Sequence, residues 1–244
     1  MNKRNYQREL EAVIDSCLRN GVRPRLLIHS CCAPCSSYVL EYLSRYFDIT
    51  MFFYNPNMDS KAEYDKRSRE LVRFIGELNE EHCEESNYCP PDFVIVDYDP
   101  GEFERIAAGH EQDPERGERC HRCYELRLRR TAEYMADFNA ACVQNGERPF
   151  DYFTTSLSIS PLKNAEALND IAERLADEYG LKSLPSDFKK KEGYKRSIEL
   201  SAQHGLYRQN YCGCRFSKAA ADAALRVRND LDKNKIKPGE KQIT

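Results

Sequence analysis

Seven of the eleven cysteines in this 244-residue chain are grouped in short motifs that could do chemistry. The three motifs are Cys31-Cys32-Ala-Pro-Cys35, Cys120-His-Arg-Cys123 and Cys212-Gly-Cys214. Thiolates are soft ligands for zinc, copper(I) and iron–sulfur clusters, and four of them complete a tetrahedral zinc or a [4Fe–4S] site. A C-x-x-C pair at the start of a helix places two sulfur atoms within reach of one ion or cluster. The motifs therefore predict a metal or redox centre.

The unequal form of the motifs bears on the kind of centre. A structural zinc held by the first two motifs is the simplest interpretation, but such sites usually use two knuckles of similar form. Here a CCxxC, a CxxC and a CxC supply seven thiols, and this surplus favours a cluster with further redox-active or metal-binding sulfur atoms nearby. Cys212 and Cys214 could form a strained, readily reduced disulfide or share a metal, and both alternatives stay open.

The other four cysteines carry no predicted chemistry. Cys17 and Cys142 stand alone at helical positions, where a cysteine is usually a small buried hydrophobe. Cys83 and Cys89 lie in a polar stretch that is typical of a surface loop, with a ligand role as the alternative.

The elements that must position these motifs alternate between short strands and longer helices. Hydrophobic periodicity predicts strands at 25–30, 49–54, 93–96 and 152–156, and helices at 5–20, 36–47, 60–78, 120–138 and 164–179. Such alternation makes βαβ units. The expected fold class is therefore α/β, a Rossmann-like parallel sheet with helices on both faces, followed by a helical C-terminal extension.

Three polar or sulfur-rich segments directly follow predicted strands. They are the Cys31-Cys32 pair, the turn at 55–57 and the loop at 154–161. In open parallel sheets, ligands bind outside the carboxyl ends of the strands at a topological switch point. We therefore expect these segments to converge on one site.

Charge separates the C-terminal quarter from the rest of the chain. Residues 186–244 hold 14 Lys and Arg against 7 Asp and Glu, although the whole chain has a net charge of −3. This pattern suits a polyanionic partner, and the alternative is a solvated helical surface. The predicted organisation is a helical extension at 1–24, an α/β core with the metal site at 25–185, a basic helical segment completing the site at 186–232, and a flexible tail at 233–244.

Composition also indicates the compartment. The longest apolar runs fall far short of the roughly 18–20 residues of a membrane span, and the first ten residues, MNKRNYQREL, lack the apolar region of a signal peptide. An odd number of cysteines argues against a fully paired secreted framework. The expected location is cytoplasmic, without a membrane partner, where thiols stay reduced.

Six ordered motifs make a specific resemblance. They are LLIHSCCAPCSSYV at 26–39, FYNPN at 53–57, ERCHRCYELRL at 118–128, FTTSLSISPLKN at 153–164, DFKKKEGYKRS at 187–197 and LYRQNYCGCRFS at 206–217. Together they resemble the QueH family of epoxyqueuosine reductases, from about residue 5 to residue 217.

The resemblance implies a function and a set of site residues. It implies reduction of epoxyqueuosine to queuosine at the wobble position of the tRNA anticodon, an adenine-nucleotide-hydrolase-like fold and a [4Fe–4S] cluster. The implied cluster ligands are Cys31, Cys32, Cys120 and Cys123, with Cys35 as a further candidate metal ligand. Cys212 and Cys214 would be a redox-active catalytic pair or would bind an additional iron. The electron donor is not identified by the sequence.

Basic and aromatic residues near the third cysteine motif suit the tRNA. The expected phosphate contacts are Lys189, Lys190, Lys191, Lys195, Arg196 and Arg208, and the expected stacking residues are Tyr194, Tyr207 and Tyr211.

Two other functions are compatible with parts of the pattern. An ATP-dependent tRNA-modifying enzyme of the pyrophosphatase type would need a glycine- or serine-rich turn after the first strand to bind phosphate. Here that turn has no glycine and carries three cysteines. A non-catalytic RNA-binding module stapled by zinc is the second alternative, and a colourless protein containing only zinc would favour it.

Overall fold

The protein is described by a computed structural model over residues 4–235, with side chains described as far as residue 229. The strands are β1 Arg25–Ser30, β2 Asp48–Phe53, β3 Asp92–Ile95 and β4 Tyr152–Thr155. The helices are α1 Tyr6–Arg19, α2 Ala33–Leu43, α3 Lys61–His82, α4 Pro100–Ala107, α5 Glu118–Asn145, α6 Ala165–Tyr179, α7 Gly193–Gln203 and α8 Arg215–Lys235.

The four strands form one parallel sheet in the order β3-β2-β1-β4. Ile28 in β1 pairs with Met51 of β2 on one side and with Thr154 of β4 on the other. The chain thus adds β2 and β3 on one side of β1 and then crosses back to place β4 on the other side of β1. This reversal creates a topological switch point between β1 and β4. The predicted Rossmann-like α/β fold is confirmed, and the cysteine pair after β1 lies at this switch point.

Alternate residues of β1 supply the two faces of the core. Leu26 and Ile28 pack with residues of α1, α2 and α3, whereas Leu27 packs with residues of α5 and α6. All three leucine and isoleucine side chains have no solvent exposure. Burial on both faces explains why β1 is a nearly continuous apolar run rather than an alternating one.

Several boundaries differ from those expected. Helix α2 begins three residues earlier than predicted, because Pro34 fits the first turn of a helix and Cys32 takes the extended N-cap position. Helix α5 runs past the predicted end at 138 and stops at Gly146, which adopts the left-handed conformation with φ 69°. Helix α4 was not predicted, although Asp99 followed by Pro100 is a start signal.

The C-terminal part of the fold is helical beyond the sheet. Within the described chain, no helix combines the length and the apolar character needed to cross a membrane. Of the predicted tail at 233–244, residues 233–235 continue α8, and 236–244 lie outside the described residues.

Helix α7 packs against α2 so closely at Gly193 that no side chain larger than a hydrogen atom fits there. A Cβ added to Gly193 would overlap the carbonyl oxygen of Phe188 and the ring of Tyr38. We expect Gly193→Ala to lower the free energy of unfolding by about 2 kcal/mol, because overpacking forces the backbone or the ring to shift. Gly76→Ala is the control, since it adds a methyl group to α3 where no atom lies within 4 Å. It should be neutral or stabilising in the same urea titration, and equal destabilisation by both changes would contradict the packing argument.

Candidate metal and redox site

The first cysteine motif forms a compact group of sulfur atoms where β1 passes into α2. The Sγ atoms of Cys31, Cys32 and Cys35 all lie within 4.8 Å of one another, and those of Cys31 and Cys32 are 3.8 Å apart. Four thiolates around a tetrahedral ion with bonds of about 2.3 Å are separated by about 3.8 Å, so this spacing suits metal coordination. The adjacent cysteines can face the same side because the extended N-cap residue Cys32 turns the backbone into the helix.

The other two motifs meet at a second position. Cys120 and Cys123, one turn apart at the start of α5, line a small cavity of about 10 Å³ with Cys212 and Cys214. The Sγ atoms of Cys212 and Cys214 are 3.7 Å apart. All eleven cysteines lie within the described residues and are free thiols. The seven motif cysteines are therefore divided into one group of three and one of four.

A backbone hydrogen bond joins the Cys212–Cys214 loop to the segment between β2 and α3. The amide of Asp59 donates to the carbonyl oxygen of Gly213 at 2.9 Å. Gly213 has φ 119°, and an added Cβ would lie 3.3 Å from Nη1 of Arg67. Only glycine satisfies both the positive φ and this close approach. The glycine between the two cysteines thus positions the loop as well as separating the thiols.

One pocket connects both sulfur groups. This space, called the sulfur pocket below, has a volume of about 280 Å³ and is bordered by Cys31, Cys32, Cys35 and Cys212. Its walls also include Arg67, Arg127, Lys163, Tyr194 and Arg208. Because Cys212 lines both this pocket and the small cavity, the two groups of thiols adjoin one another. Of the three segments expected to converge, the Cys31-Cys32 pair and the loop at 154–161 border this pocket, whereas the turn at 55–57 does not.

A buried histidine joins the ends of three strands beneath the sulfur atoms. His29 Nε2 lies 3.0 Å from the carbonyl oxygen of Tyr54, and Nδ1 lies 3.0 Å from Oγ1 of Thr155. Complete burial lowers the pKa of His29 to about 3, so the ring is neutral. A carbonyl only accepts, so Nε2 carries the proton and Nδ1 accepts from the threonine hydroxyl. Asn55 adds a further link by donating to the carbonyl oxygen of Ser30 at 2.8 Å.

Arg127 places a buried positive charge among the thiols. It is 3% exposed, and its guanidinium donates to the carbonyl oxygen of Cys123 at 3.2 Å and to Oδ1 of Asn55 at 3.4 Å. Among the side chains of residues 4–229 it has no carboxylate partner. Burial opposes the charge, but the thiolates of Cys123, Cys31 and Cys212 raise the pKa of Arg127. Because an unpaired buried charge is costly, the surrounding sulfur atoms must supply the negative charge.

Two more cations surround the same thiols. Arg67 is 2% exposed, pairs with Glu63, and donates to the carbonyl oxygen of Cys212 at 3.4 Å. Lys163 is 8% exposed, and its closest carboxylate oxygen, on Glu115, is 3.9 Å away. Three buried cations with one close carboxylate among them make this an environment for an anionic centre.

Each sulfur group contains one thiol that readily loses its proton. Hydrogen bonds from Cys32 and Cys35 hold the pKa of Cys31 well below its usual range, while the pKa of Cys32 is raised to about 12. A hydrogen bond from Cys214, together with the charge of Lys163, likewise lowers the pKa of Cys212. Thiolates are the nucleophilic and metal-binding form of cysteine, so both groups are prepared for such chemistry.

The six predicted tRNA contacts have different surroundings. Arg208 lines the sulfur pocket, and Lys189 and Lys190 line a neighbouring cavity. Four of the six are paired with carboxylates: Lys189 with Asp187, Lys191 with Glu11, Lys195 with Glu192, and Arg196 with Glu41. Of the predicted stacking residues, Tyr194 and Tyr211 line the sulfur pocket, whereas Tyr207 lies beneath Lys66.

Comparison with known proteins identifies the family. A family model described as epoxyqueuosine reductase QueH matches residues 26–220. The chain belongs to the QueH family. Curated members named epoxyqueuosine reductase QueH include one from Staphylococcus epidermidis, 39% identical over 88% of this chain and 85% of the relative. One from Streptococcus pyogenes is 40% identical over 87% and 77%, and one from Thermotoga maritima is 32% identical over 79% and 89%. The part that matches the QueH model includes all three cysteine motifs.

Sequence reasoning did not single out His29, Arg67, Arg127 or Lys163. Arg127 follows Cys123 by one helical turn, which was a usable signal that it faces the same side of α5. Its burial was not predictable from residue type, because arginine and lysine are rarely buried.

We expect Arg127→Met to weaken metal retention in the metal-loaded protein. Removing a charge that orients and balances the sulfur ligands should increase the rate of metal loss to a chelator by roughly 10- to 100-fold. Arg127→Lys keeps the charge, so its rate of metal loss should lie between those of Arg127→Met and the wild type. Arg129→Met is the control, because Arg129 lies on the outer side of α5 and pairs with Glu125 and Glu178. Equal metal loss in the two methionine variants would contradict the proposed charge balance.

The lowered pKa of Cys212 predicts an unusual pH profile for alkylation of the metal-free, reduced protein. A thiol with the ordinary pKa of about 8.5 reacts roughly tenfold more slowly for each pH unit below it. Cys212 should instead keep its rate as the pH falls through this range. In Cys214→Ala the hydrogen bond is lost, so the profile should move towards that of glutathione. Mass spectrometry of iodoacetamide-treated protein measures the alkylation rate of Cys212 in the wild type and in Cys214→Ala. A wild-type rate that falls tenfold per pH unit would refute the lowered pKa of Cys212.

Proposed function

We propose that this protein is an epoxyqueuosine reductase that acts on tRNA and uses an iron–sulfur cluster and redox-active cysteines. The observation that carries the proposal is that thiols from three distant motifs line the sulfur pocket and the adjoining small cavity, at the switch point of the sheet. The QueH relatives are named for this reaction. A reaction on tRNA is consistent with a cytoplasmic location.

The proposed cluster ligands are Cys31, Cys32, Cys120 and Cys123. Their donor set suits a [4Fe–4S] cluster, and Cys120 packs in the same core cluster as Cys31 and Cys32. The buried cations fit the negative charge of such a group, which would supply electrons one at a time. Cys35 is the alternative ligand, because its sulfur lies with those of Cys31 and Cys32.

Cys212 and Cys214 are the proposed catalytic pair. Converting an epoxide to an alkene takes two electrons and two protons and releases the oxygen as water. Two thiols that become a disulfide supply both electrons and both protons, and an external electron donor must then reduce the pair again. The alternative is that the pair binds an additional iron within the small cavity. Iron content distinguishes these roles, since only the second requires iron to be lost with either cysteine.

The sulfur pocket is the proposed site of the modified base. Tyr194 and Tyr211 offer aromatic faces for an unpaired anticodon base, and Arg208 offers a charge for its phosphate. Lys190 would extend this contact along the backbone. We propose smaller contributions from Lys189, Lys191, Lys195 and Arg196, because each is already paired with a carboxylate.

Anaerobic purification followed by metal and sulfide analysis and an assay on epoxyqueuosine-containing tRNA tests the proposal. The expected protein is brown, contains iron with equivalent sulfide, and produces queuosine when given a chemical reductant. A colourless protein with zinc alone and no reductase activity would instead support the RNA-binding module.

Serine substitutions separate cluster ligands from the catalytic pair. We expect Cys31→Ser and Cys32→Ser to lose most of the iron, because each removes a thiolate from the compact group. Cys212→Ser and Cys214→Ser should keep the cluster and lose queuosine formation by at least about 100-fold, since the two-electron step needs both thiols. Cys142→Ser, a buried cysteine on α5 outside the site, is the control. Full activity in a cluster-containing Cys212→Ser protein would refute the catalytic role.

Binding of tRNA should depend steeply on salt. Each phosphate contact contributes a slope of about −0.7 to −0.9 in a plot of log affinity against log salt concentration. Full contacts from Arg208 and Lys190, with a smaller one from Lys189, therefore predict a total slope of about −2 by this principle. Filter binding between 50 and 300 mM salt measures it, and an affinity that does not change with salt would contradict the electrostatic contact.

A further inference from the structure

A second cavity adjoins the sulfur pocket, and the proposed function does not say what occupies it. This outer cavity has a volume of about 730 Å³ and is bordered by the start of α1, the loop that leads into α6, and the loop before α7. It shares Pro161, Lys163 and Tyr194 with the sulfur pocket. Its volume lies within the range of about 300–1,000 Å³ that is typical of small-ligand sites.

The lining of the outer cavity has an excess of positive charge. It contains Arg4, Lys163, Lys189 and Lys190 against Glu166 and Asp187. Arg4 pairs with Glu9 and Glu173, and Lys189 pairs with Asp187. This leaves the buried Lys163 and the exposed Lys190, which has no carboxylate partner among the side chains described for residues 4–229. Two cations that lack a close carboxylate suit a phosphate group.

The N-terminus of α6 is not available to bind a phosphate group. The side chain of Asn164 accepts hydrogen bonds from the amides of Glu166 and Ala167 at 3.0 and 3.4 Å. Those amides are therefore already used by the helix cap. An anion in the outer cavity would depend on the lysine side chains.

The shared rim links the outer cavity to the proposed position of the RNA substrate. A nucleotide in the sulfur pocket remains covalently joined to its neighbours, so the strand continues out of the pocket, and the rim offers it a path into the outer cavity. Tyr194 is half-buried on that rim and borders both spaces. Aromatic rings between successive bases are a common means of holding single-stranded RNA, because stacking does not require a particular sequence.

We propose that the outer cavity binds the nucleotide adjacent to the modified one in the anticodon loop. Its phosphate lies against Lys190 and Lys163, and its base lies against Tyr194. This inference rests on the proposed function, since it takes the substrate to be RNA. A soluble nicotinamide or flavin nucleotide that donates electrons is the competing occupant, and the experiment below separates the two.

The test compares Lys190→Ala with the wild-type holoenzyme in steady-state reduction of epoxyqueuosine tRNA. We expect the KM for tRNA to rise roughly three- to tenfold with kcat unchanged, as for loss of one phosphate contact. Lys190→Arg should restore the wild-type KM. The 5′-monophosphate of the epoxyqueuosine nucleoside has no neighbouring nucleotide, so its inhibition constant against tRNA reduction should be the same in Lys190→Ala and the wild type.

Lys182→Ala is the matched control for the loss of one charge. Lys182 lies against Tyr152, at the opposite end of β4 from the sulfur atoms. The same KM rise in this variant would show a general effect of charge and overturn the inference. So would an unchanged KM for tRNA in Lys190→Ala, an equal rise in the inhibition constant of the mononucleotide, or a raised KM confined to a nucleotide electron donor. A wild type that binds tRNA but does not reduce it would instead refute the proposed function, and the inference would fall with it.

Discussion

The burial of Arg127 without a carboxylate is the constraint on which the site depends. A guanidinium cannot lose its charge at any pH at which proteins fold, so burial requires negative charge in the immediate surroundings. In this fold the available groups are thiols from both sulfur groups. The same residue also holds Asn55, which in turn holds the end of β1. Charge balance at the sulfur atoms and the alignment of the strand ends are therefore parts of one arrangement.

The sheet explains why such distant motifs meet. Parallel strands place all their carboxyl ends at one edge, and the reversal of strand order leaves a crevice beside β1. Cys31 and Cys32 are at this crevice because they directly follow the central strand. The Cys212–Cys214 loop follows no strand, and it reaches the site through the backbone contact between Asp59 and Gly213. The third motif is thus positioned by a hydrogen bond to the α/β core rather than by following a strand of the sheet.

Periodicity and motif spacing predicted the strands, most helices and the location of the cysteine site. They missed α4, because Phe103 and Ala107 are the only buried side chains in its eight residues and make too short a pattern to recognise. The division of seven cysteines into groups of three and four was also not predictable, since it depends on where the Cys212–Cys214 loop packs. The burial of the three cations was not predictable from the sequence for a related reason. Their residue types favour the surface, and only tertiary packing shows that Arg127 is enclosed.

The first group of thiols belongs to a single strand–turn–helix unit, whereas its nearest partner from the last motif is 181 positions further along the chain. Ribosomes add about 5–20 residues each second, so roughly 10–40 s separate the synthesis of Cys31 from that of Cys212. Until Cys120 is synthesised, about halfway through that interval, the nascent chain contains only these three motif thiols, which can capture a stray zinc or copper ion. Correct assembly then requires that ion to be released or excluded, so cofactor loading is best timed after the C-terminal loop has emerged.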